Sequence, residues 1–347
     1  MSPSKTVPDH MQAVLLERQD VDPAQAIRGL KVVTRPVPQP KAGQVLIKIE
    51  AAPCNPSDLM FLAGRYGINK TLPTVPGFEA SGTVIKSGGG FMANFLVGKR
   101  VACGGQSDSD GTWAEYFCAD AAFCIPLQKG VDFEQGAMMI VNPLTAIALF
   151  EKCTSEGHKA AVHTAGASQL GRMLIRLAND HGYPLINLVR REDQRQLLMG
   201  LGAKIVLDTS RPDFIETFKD QAARLNATLL IDAVAGPGVG QLLQLMPDRS
   251  KAAVYGGLSQ QACGEIDPIG LIFRQQSVEG FWLTPWLTAK SLLGKLGASN
   301  RVQKLIAAKA FHSEVRARIK LANIREGLLD YQQRMSEGKV LICPGLK

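Results

Sequence analysis

The sequence predicts an α/β protein in which a β-rich first region precedes a doubly wound parallel sheet. Three observations carry this. Up to about residue 135 the chain is rich in Gly, Pro, Val and Thr, and the apolar runs "QVLIKIEAA", "EASGTVI" and "KRVACGG" are bounded by turn residues, the texture of short strands. From about residue 137 the runs "AAVHTA", "LINLVRR", "AKIVLD", "ATLLIDAVAG" and "AAVYGG" alternate with helix-period segments, the pattern of parallel strands joined by crossover helices. Between the first of these strands and its helix lies "HTAGASQLG", residues 163–171, a near match to the glycine-rich turn of dinucleotide-binding units. After about residue 285 the chain returns to helical patterns and a last strand-like "GKVLICP".

A chain of 347 residues exceeds what one hydrophobic core usually holds, so two domains are expected. With 46% hydrophobic and 20% charged residues, each has enough apolar area for a core. The opening "MSPSKTVPDH" lacks the apolar centre of a secretory signal and reads as a loose tail. The longest apolar stretch, "GAMMIVNPLTAIALF", is too short to span a membrane and is interrupted by Asn142-Pro143, so no membrane partner is expected. Seven cysteines, at 54, 103, 118, 124, 153, 263 and 343, form no C-x-x-C pair and fit neither a disulfide framework nor a zinc ribbon; a reducing cytoplasm suits them better.

The net charge of +8 raises nucleic acid as a partner, but no zinc-finger, RNP or KH signature supports one. Much of the excess lies late: Lys290, Lys295, Arg301, Lys304, Lys309, Arg316, Arg318, Lys320 and Arg325 face only Glu314 and Glu326 in that segment. Their spacing among Leu and Ile reads as a solvated helix face, with an acidic partner as the alternative.

In the turn, Gly166 is expected to make the tight bend and Gly171 to let the helix pack closely on the strand. Ser168 stands where backbone approaches a pyrophosphate and adds a hydroxyl donor, while the helix N-terminus offers unpaired N–H groups to the phosphates. About 20 residues further, where NAD-binding units carry an acid for the ribose hydroxyls, "LINLV" ends in Arg190-Arg191. Guanidinium groups grip a ribose phosphate where a carboxylate would repel it, so the cofactor expected is NADP(H). Which arginine touches the phosphate stays open, and Glu192 is positioned to offset part of their charge.

The motifs "NPSDLMFLAGRYG", "LPTVPGFEASGTV", "VGKRVA", "GTWAEY", "VNPLTA", "TAGASQLG", "YGGLS" and "GFWLTPW", in this order, resemble the medium-chain dehydrogenase/reductase superfamily. Within it the chain resembles the zinc-independent quinone oxidoreductases and, more closely, the mitochondrial-type 2-enoyl thioester reductases. The resemblance implies a GroES-like substrate domain at 1–137, a Rossmann NADP-binding domain at 138–284 and a segment at 285–347 that returns to the first domain, with the active site in the cleft. Zinc-dependent members need three protein ligands. Here Cys54 lies near the first ligand position, but Phe78 of "GFE" and Asn142 stand where the others fall, and the four-cysteine structural lobe is missing, with only Cys103 and Cys118 between 103 and 118.

Carried over by position, the resemblance places Asn142 beside the nicotinamide or its ribose, Gly166, Ala167, Ser168, Gln169, Leu170 and Gly171 around the pyrophosphate, and Arg190 and Arg191 at the ribose phosphate. Tyr255, Gly256, Gly257 and Leu258 with Phe281, Trp282 and Leu283 would wall the nicotinamide, and Lys339 of "GKV" would reach the cofactor. Tyr66 of "GRYG" is the expected catalytic residue, supporting the enolate and its proton during reduction of an enone or enoyl thioester. His163 reads as structural because it sits inside a buried strand. Quinone reduction is the rival activity, and a nucleotide-binding protein with little turnover the rival of another class. The resemblance also implies a homodimer joined through the Rossmann sheet.

Overall fold

A computed structural model describes residues 7–104 and 110–346. The expected loose tail falls mostly outside these residues, as does part of the stretch between Cys103 and Cys118. The chain divides into two compact units, Met1–Val141 with Arg301–Lys347, and Asn142–Asn300.

In the first unit β1 (His10–Leu15) and β2 (Lys31–Pro36) form an antiparallel pair. The strands β3 (Gln44–Pro53), β4 (Glu79–Ser87), β5 (Arg100–Gly104), β6 (Tyr116–Asp120) and β7 (Cys124–Pro126) belong to a second sheet. In β3 the buried Ile47, Ile49 and Ala51 alternate with the less buried Lys48 and Glu50, and Leu46, Ile47 and Ile49 share the core with Phe61, Val101 and Trp113. The helix Pro56–Leu62 has Pro at its first position and a capping box, in which Asn55 and Asp58 each satisfy the other's backbone N–H.

The second unit is the parallel sheet the alternation predicts. Its strands β8 (Ala160–His163), β9 (Leu185–Val189), β10 (Ile205–Asp208), β11 (Ala227–Asp232), β12 (Lys251–Val254) and β13 (Ser277–Gly280) run in the order β10-β9-β8-β11-β12-β13, all parallel. The order reverses direction between β8 and β11, the switch point at which open α/β sheets take ligands. The helix Gln169–Asp180 buries Leu170, Met173, Leu174, Leu177 and Ala178, a stripe of helical period laid on the sheet. Asn142 and Pro143, expected to interrupt the apolar stretch, lie instead in the first turn of the helix Val141–Ser155. Proline is tolerated there because a first-turn N–H has no intrahelical partner to lose.

The chain re-enters the first unit at Arg301 and adds β14 (Val315–Ile319) and β15 (Lys339–Ile342). β15 pairs with the last residues of β3, so the sheet reads β14-β15-β3-β4-β5-β7, with β6 against the start of β3. Among the described residues no helix is long and apolar enough to cross a membrane.

Candidate functional site

In the second unit the glycine turn closes β8. The left-handed residue of that turn is Ala165, at φ 52°, and not Gly166 as the motif suggests. Gly166 sits in tight quarters instead: a Cβ there would lie 3.0 Å from Leu198 Cδ1 and 3.1 Å from Asn187 Cβ, so both neighbours would have to give by a few tenths of an ångström. At Gly171 a Cβ would meet the Gly166 carbonyl oxygen at 2.2 Å, so only glycine lets the helix seat this closely. Ser168 caps that helix, its Oγ accepting from Gly171 N at 3.0 Å. Its proton stays available as a donor, while the N–H groups of Gln169 and Leu170, at the positive end of the helix, are the natural anion cradle. Gln169 is buried and neither polar atom of its amide has a hydrogen-bond partner. These features fit a bound pyrophosphate.

Arg190 and Arg191 follow β9, the neighbour of β8, and both are exposed. Arg191 is held by Asp193 through two bonds, at 2.9 and 3.1 Å, and not by Glu192, which pairs with Arg195. Ion pairs this exposed are weak, and an incoming phosphate competes readily for the guanidinium.

The candidates after β12 and β13 follow the C-terminal ends of those strands. Tyr255 follows β12 and its N–H donates to Asp232 O, while Leu258 N donates to Ala233 O. A Cβ at Gly256 would strike the Ala233 carbonyl at 2.7 Å, so this segment is pressed against the end of β11. Phe281 follows β13 with its N–H on Val254 O, and Trp282 precedes the helix Leu283–Ala289. Buried Asp232 accepts from Thr164 Oγ1 at 2.8 Å and from Ala235 N. Asn142 is half-buried in the first turn of its helix.

His163 is fully buried and its Nε2 lies 2.8 Å from Tyr255 Oη. Burial pushes its pKa from the usual 6.5 down to about 3, so the ring is neutral at physiological pH. As pH falls below 6.5 the unfolded chain takes up a proton that the folded chain refuses, so stability is lost through the window from 6.5 to 3. By pH 4 this should amount to about 3 kcal/mol. Urea midpoints measured from pH 7 to 4 should fall accordingly, and His163→Gln, which keeps a partner for Tyr255, should flatten the slope; an unchanged slope would rule out His163 as its source.

Tyr66 and Lys339 belong to the first unit. Tyr66 is half-buried, and its ring lies 4.9 Å from that of Phe78, which also meets Phe61 edge-on at 5.5 Å. The aromatic residue of "GFE" thus packs against the tyrosine at a tilt. Lys339 is buried and its ammonium donates to Asn55 Oδ1. Asn55 Nδ2 in turn donates to Glu79 Oε1 at 2.8 Å, and Glu79 Oε2 accepts the backbone N–H groups of Ile140 and Val141. Burial drives the group toward neutrality: it raises Asp58 to about 7, raises Glu79 and lowers Lys339. Sequence reasoning missed Asn55, Asp58 and Glu79, although all three stand inside the quoted "NPSDL" and "GFE".

Two family models match the chain, the alcohol dehydrogenase GroES-like domain over residues 41–129 and the zinc-binding dehydrogenase over residues 170–296. A mitochondrial enoyl-[acyl-carrier-protein] reductase of Caenorhabditis elegans is 30% identical over 76% of this chain and 75% of its own length. The chain belongs to the medium-chain dehydrogenase/reductase superfamily. The quinone oxidoreductase of Rattus norvegicus, 28% identical over 70% of this chain and 73% of its own, places this reductase in the quinone oxidoreductase and enoyl reductase branch. A solved structure from Mesorhizobium loti, assigned as an NADPH:quinone reductase, is 37% identical, covers 98% of this chain and 100% of its own, and superposes with a TM-score of 0.87.

Zinc appears in the name of the second family model, yet among the described residues of this reductase no three His, Cys, Asp or Glu side chains group to hold a metal. Cys54 is buried, with its thiol pushed well above the usual range by burial first and by Asp58 next. The late basic residues have more acidic neighbours than the local sequence suggests. Lys290 pairs with Glu151, Arg316 with Asp330 and Arg318 with Glu134, two of these partners lying far away along the chain.

Proposed function

We propose that this enzyme uses NADPH to reduce a C=C bond conjugated to a carbonyl, in an enone or 2-enoyl thioester, without a metal ion. The observation that carries the reading is a capped glycine turn closing β8 beside a strand, β9, that runs into Arg190 and Arg191 where an NAD-binding unit has an acid. NADPH supplies the hydride that the β-carbon accepts. The arginines hold the ribose phosphate, and the N–H groups of Gln169 and Leu170 face the pyrophosphate. Asn142, the Tyr255–Leu258 segment and Phe281 to Leu283 orient the nicotinamide. Lys339 uses one of its three donors on Asn55, which leaves others for the cofactor. As negative charge builds on the substrate carbonyl oxygen, the Tyr66 hydroxyl donates a hydrogen bond to it or relays the proton to the α-carbon. The relatives named as enoyl reductases support this choice of acceptor.

Quinone reduction is the second reading, favoured by the 37% identity to the Mesorhizobium loti protein. A panel of an enoyl-CoA, a small enone and a quinone, each with NADPH and a chelator present, separates the readings. Enoyl or enone turnover should be the most efficient and indifferent to the chelator. Turnover of quinones alone would favour the second reading, and loss of activity with released zinc would refute metal independence. No NADPH consumption with any acceptor would leave a nucleotide-binding protein.

We further propose a homodimer formed through the outer edge of β13, the last strand of its sheet, next to a helix, Pro268–Phe273, that exposes Ile269, Ile272 and Phe273. The mass in solution should then be twice that of the chain. Seven unpaired cysteines support a cytoplasmic setting.

A further inference from the structure

The helix Phe91–Leu96 of the first unit lacks the polar face that a surface helix normally turns to water. Ala93 and Leu96 are buried, while Phe91, Met92 and Phe95 lie open, Phe91 with 91% of its surface exposed and Phe95 with 59%. Asn94, the polar residue of the helix, is taken up by Ser87, whose Oγ donates to Asn94 Oδ1 at 2.7 Å. Exposed Val97 follows, and the turn Ala121–Phe123 packs beside the helix and adds Phe123, 53% exposed. Large apolar side chains are ordinary on a surface one at a time, but a contiguous group of them marks a surface that something covers. This corner lies at the start of β3, where Gly43 bonds Gly89 and Ala121, and β15 with Lys339 joins β3 at its other end. The charges around it are mostly of one sign. From residue 80 to 104 the chain carries Lys86, Lys99 and Arg100 and no acid, and Arg100 is drawn off to the Val131 carbonyl. Lys99 holds its ammonium over the ring of Phe95, and Lys41 is exposed with its carbonyl against Gly88. Asp120, just before the turn, accepts a hydrogen bond from Gln44 at 3.0 Å.

We propose that this corner docks on an anionic lipid surface, with Phe91, Met92, Phe95 and Phe123 entering the boundary between headgroups and acyl chains and Lys41, Lys86 and Lys99 facing the lipid phosphates. A helix with apolar residues on both faces is at home at that boundary, and lysine stems lie along apolar surface while their ammonium groups stay among the headgroups. The net charge of +8 draws the whole chain toward such a surface. A protein partner would have to supply a cavity for a ring as exposed as that of Phe91, whereas acyl chains part around it. The contact is peripheral and needs no spanning helix.

The test is sedimentation of the full-length protein with vesicles of phosphatidylcholine containing about 30% phosphatidylserine, and with pure phosphatidylcholine vesicles, for the wild type, Phe91→Ser/Phe95→Ser and Lys41→Gln/Lys86→Gln. The wild type should pellet with the anionic vesicles about tenfold more strongly than with the neutral ones, and about 0.5 M salt should release most of it. The phenylalanine pair should lower binding to anionic vesicles about tenfold or more, and the lysine pair about fivefold or more. All four replaced side chains are exposed, so both variants should melt as the wild type does. The proposal is overturned if the wild type stays in solution with anionic vesicles, if it pellets equally with neutral ones, or if either variant pellets as the wild type does. It is equally overturned if Phe91→Ser/Phe95→Ser halves the mass in solution by light scattering, since the corner would then be an interface between two copies of the chain.

Discussion

Tyr66→Phe should lower kcat for enone or enoyl thioester reduction by about 100-fold or more, with NADPH affinity changed less than about twofold. The substitution removes one oxygen and keeps the ring, so the tilted contact with Phe78 at 4.9 Å persists and the core packing around it is undisturbed. What disappears is the donor to an oxygen that becomes enolate-like as hydride arrives. A quinone accepts hydride without such help, so quinone turnover should fall far less. Steady-state kinetics with both acceptors, together with NADPH titration, check this. Intact enone turnover with chemistry rate-limiting would show the assigned role to be wrong, and lost NADPH binding would make the tyrosine structural.

Replacing Arg190 and Arg191 together by Ala should weaken NADPH binding about 10- to 150-fold and leave NADH binding nearly unchanged. That range corresponds to about 1.5–3 kcal/mol for charge-assisted contacts to a phosphate. Both side chains are exposed, so their loss should cost little stability. Arg191 is already engaged by Asp193, so Arg190→Ala alone should account for more of the loss than Arg191→Ala alone. Calorimetric titration of both cofactors decides the matter, and equal affinities for NADPH and NADH in the unmutated enzyme would refute the argument.

The parallel sheet was readable because strands covered on both faces appear as near-continuous apolar runs, and "KAAV", "LINLV" and "ATLLID" are such runs. The glycine turn was readable in place but not in detail. Nothing in the letters distinguishes an alanine at φ 52° from its neighbours, because the turn is imposed by the strand and helix around Ala165. The buried Asp58, Glu79 and Lys339 escaped notice for the opposite reason: such residues usually lie on the surface, and here they are buried around one asparagine that ties three distant segments together. The same distance hides Glu134 and Glu151 as partners of Arg318 and Lys290. Tyr66 was singled out through its motif, whereas its contact with Phe78 is one that spacing along the chain does not encode.

β15, drawn from the last residues of the chain, completes the sheet of the first unit by pairing with β3 and delivering Lys339 to Asn55. On the ribosome this reverses the usual order of events. The second unit is continuous and has all its strands once Gly280 has emerged, whereas β3 waits with one edge partly open while nearly 200 further residues of that unit and the return segment are made. At about 5–20 residues per second the wait is on the order of ten seconds or more. During it Asn55, Asp58 and Glu79 are without their cation, so the earliest part of the chain to be synthesised is the last to reach its native state.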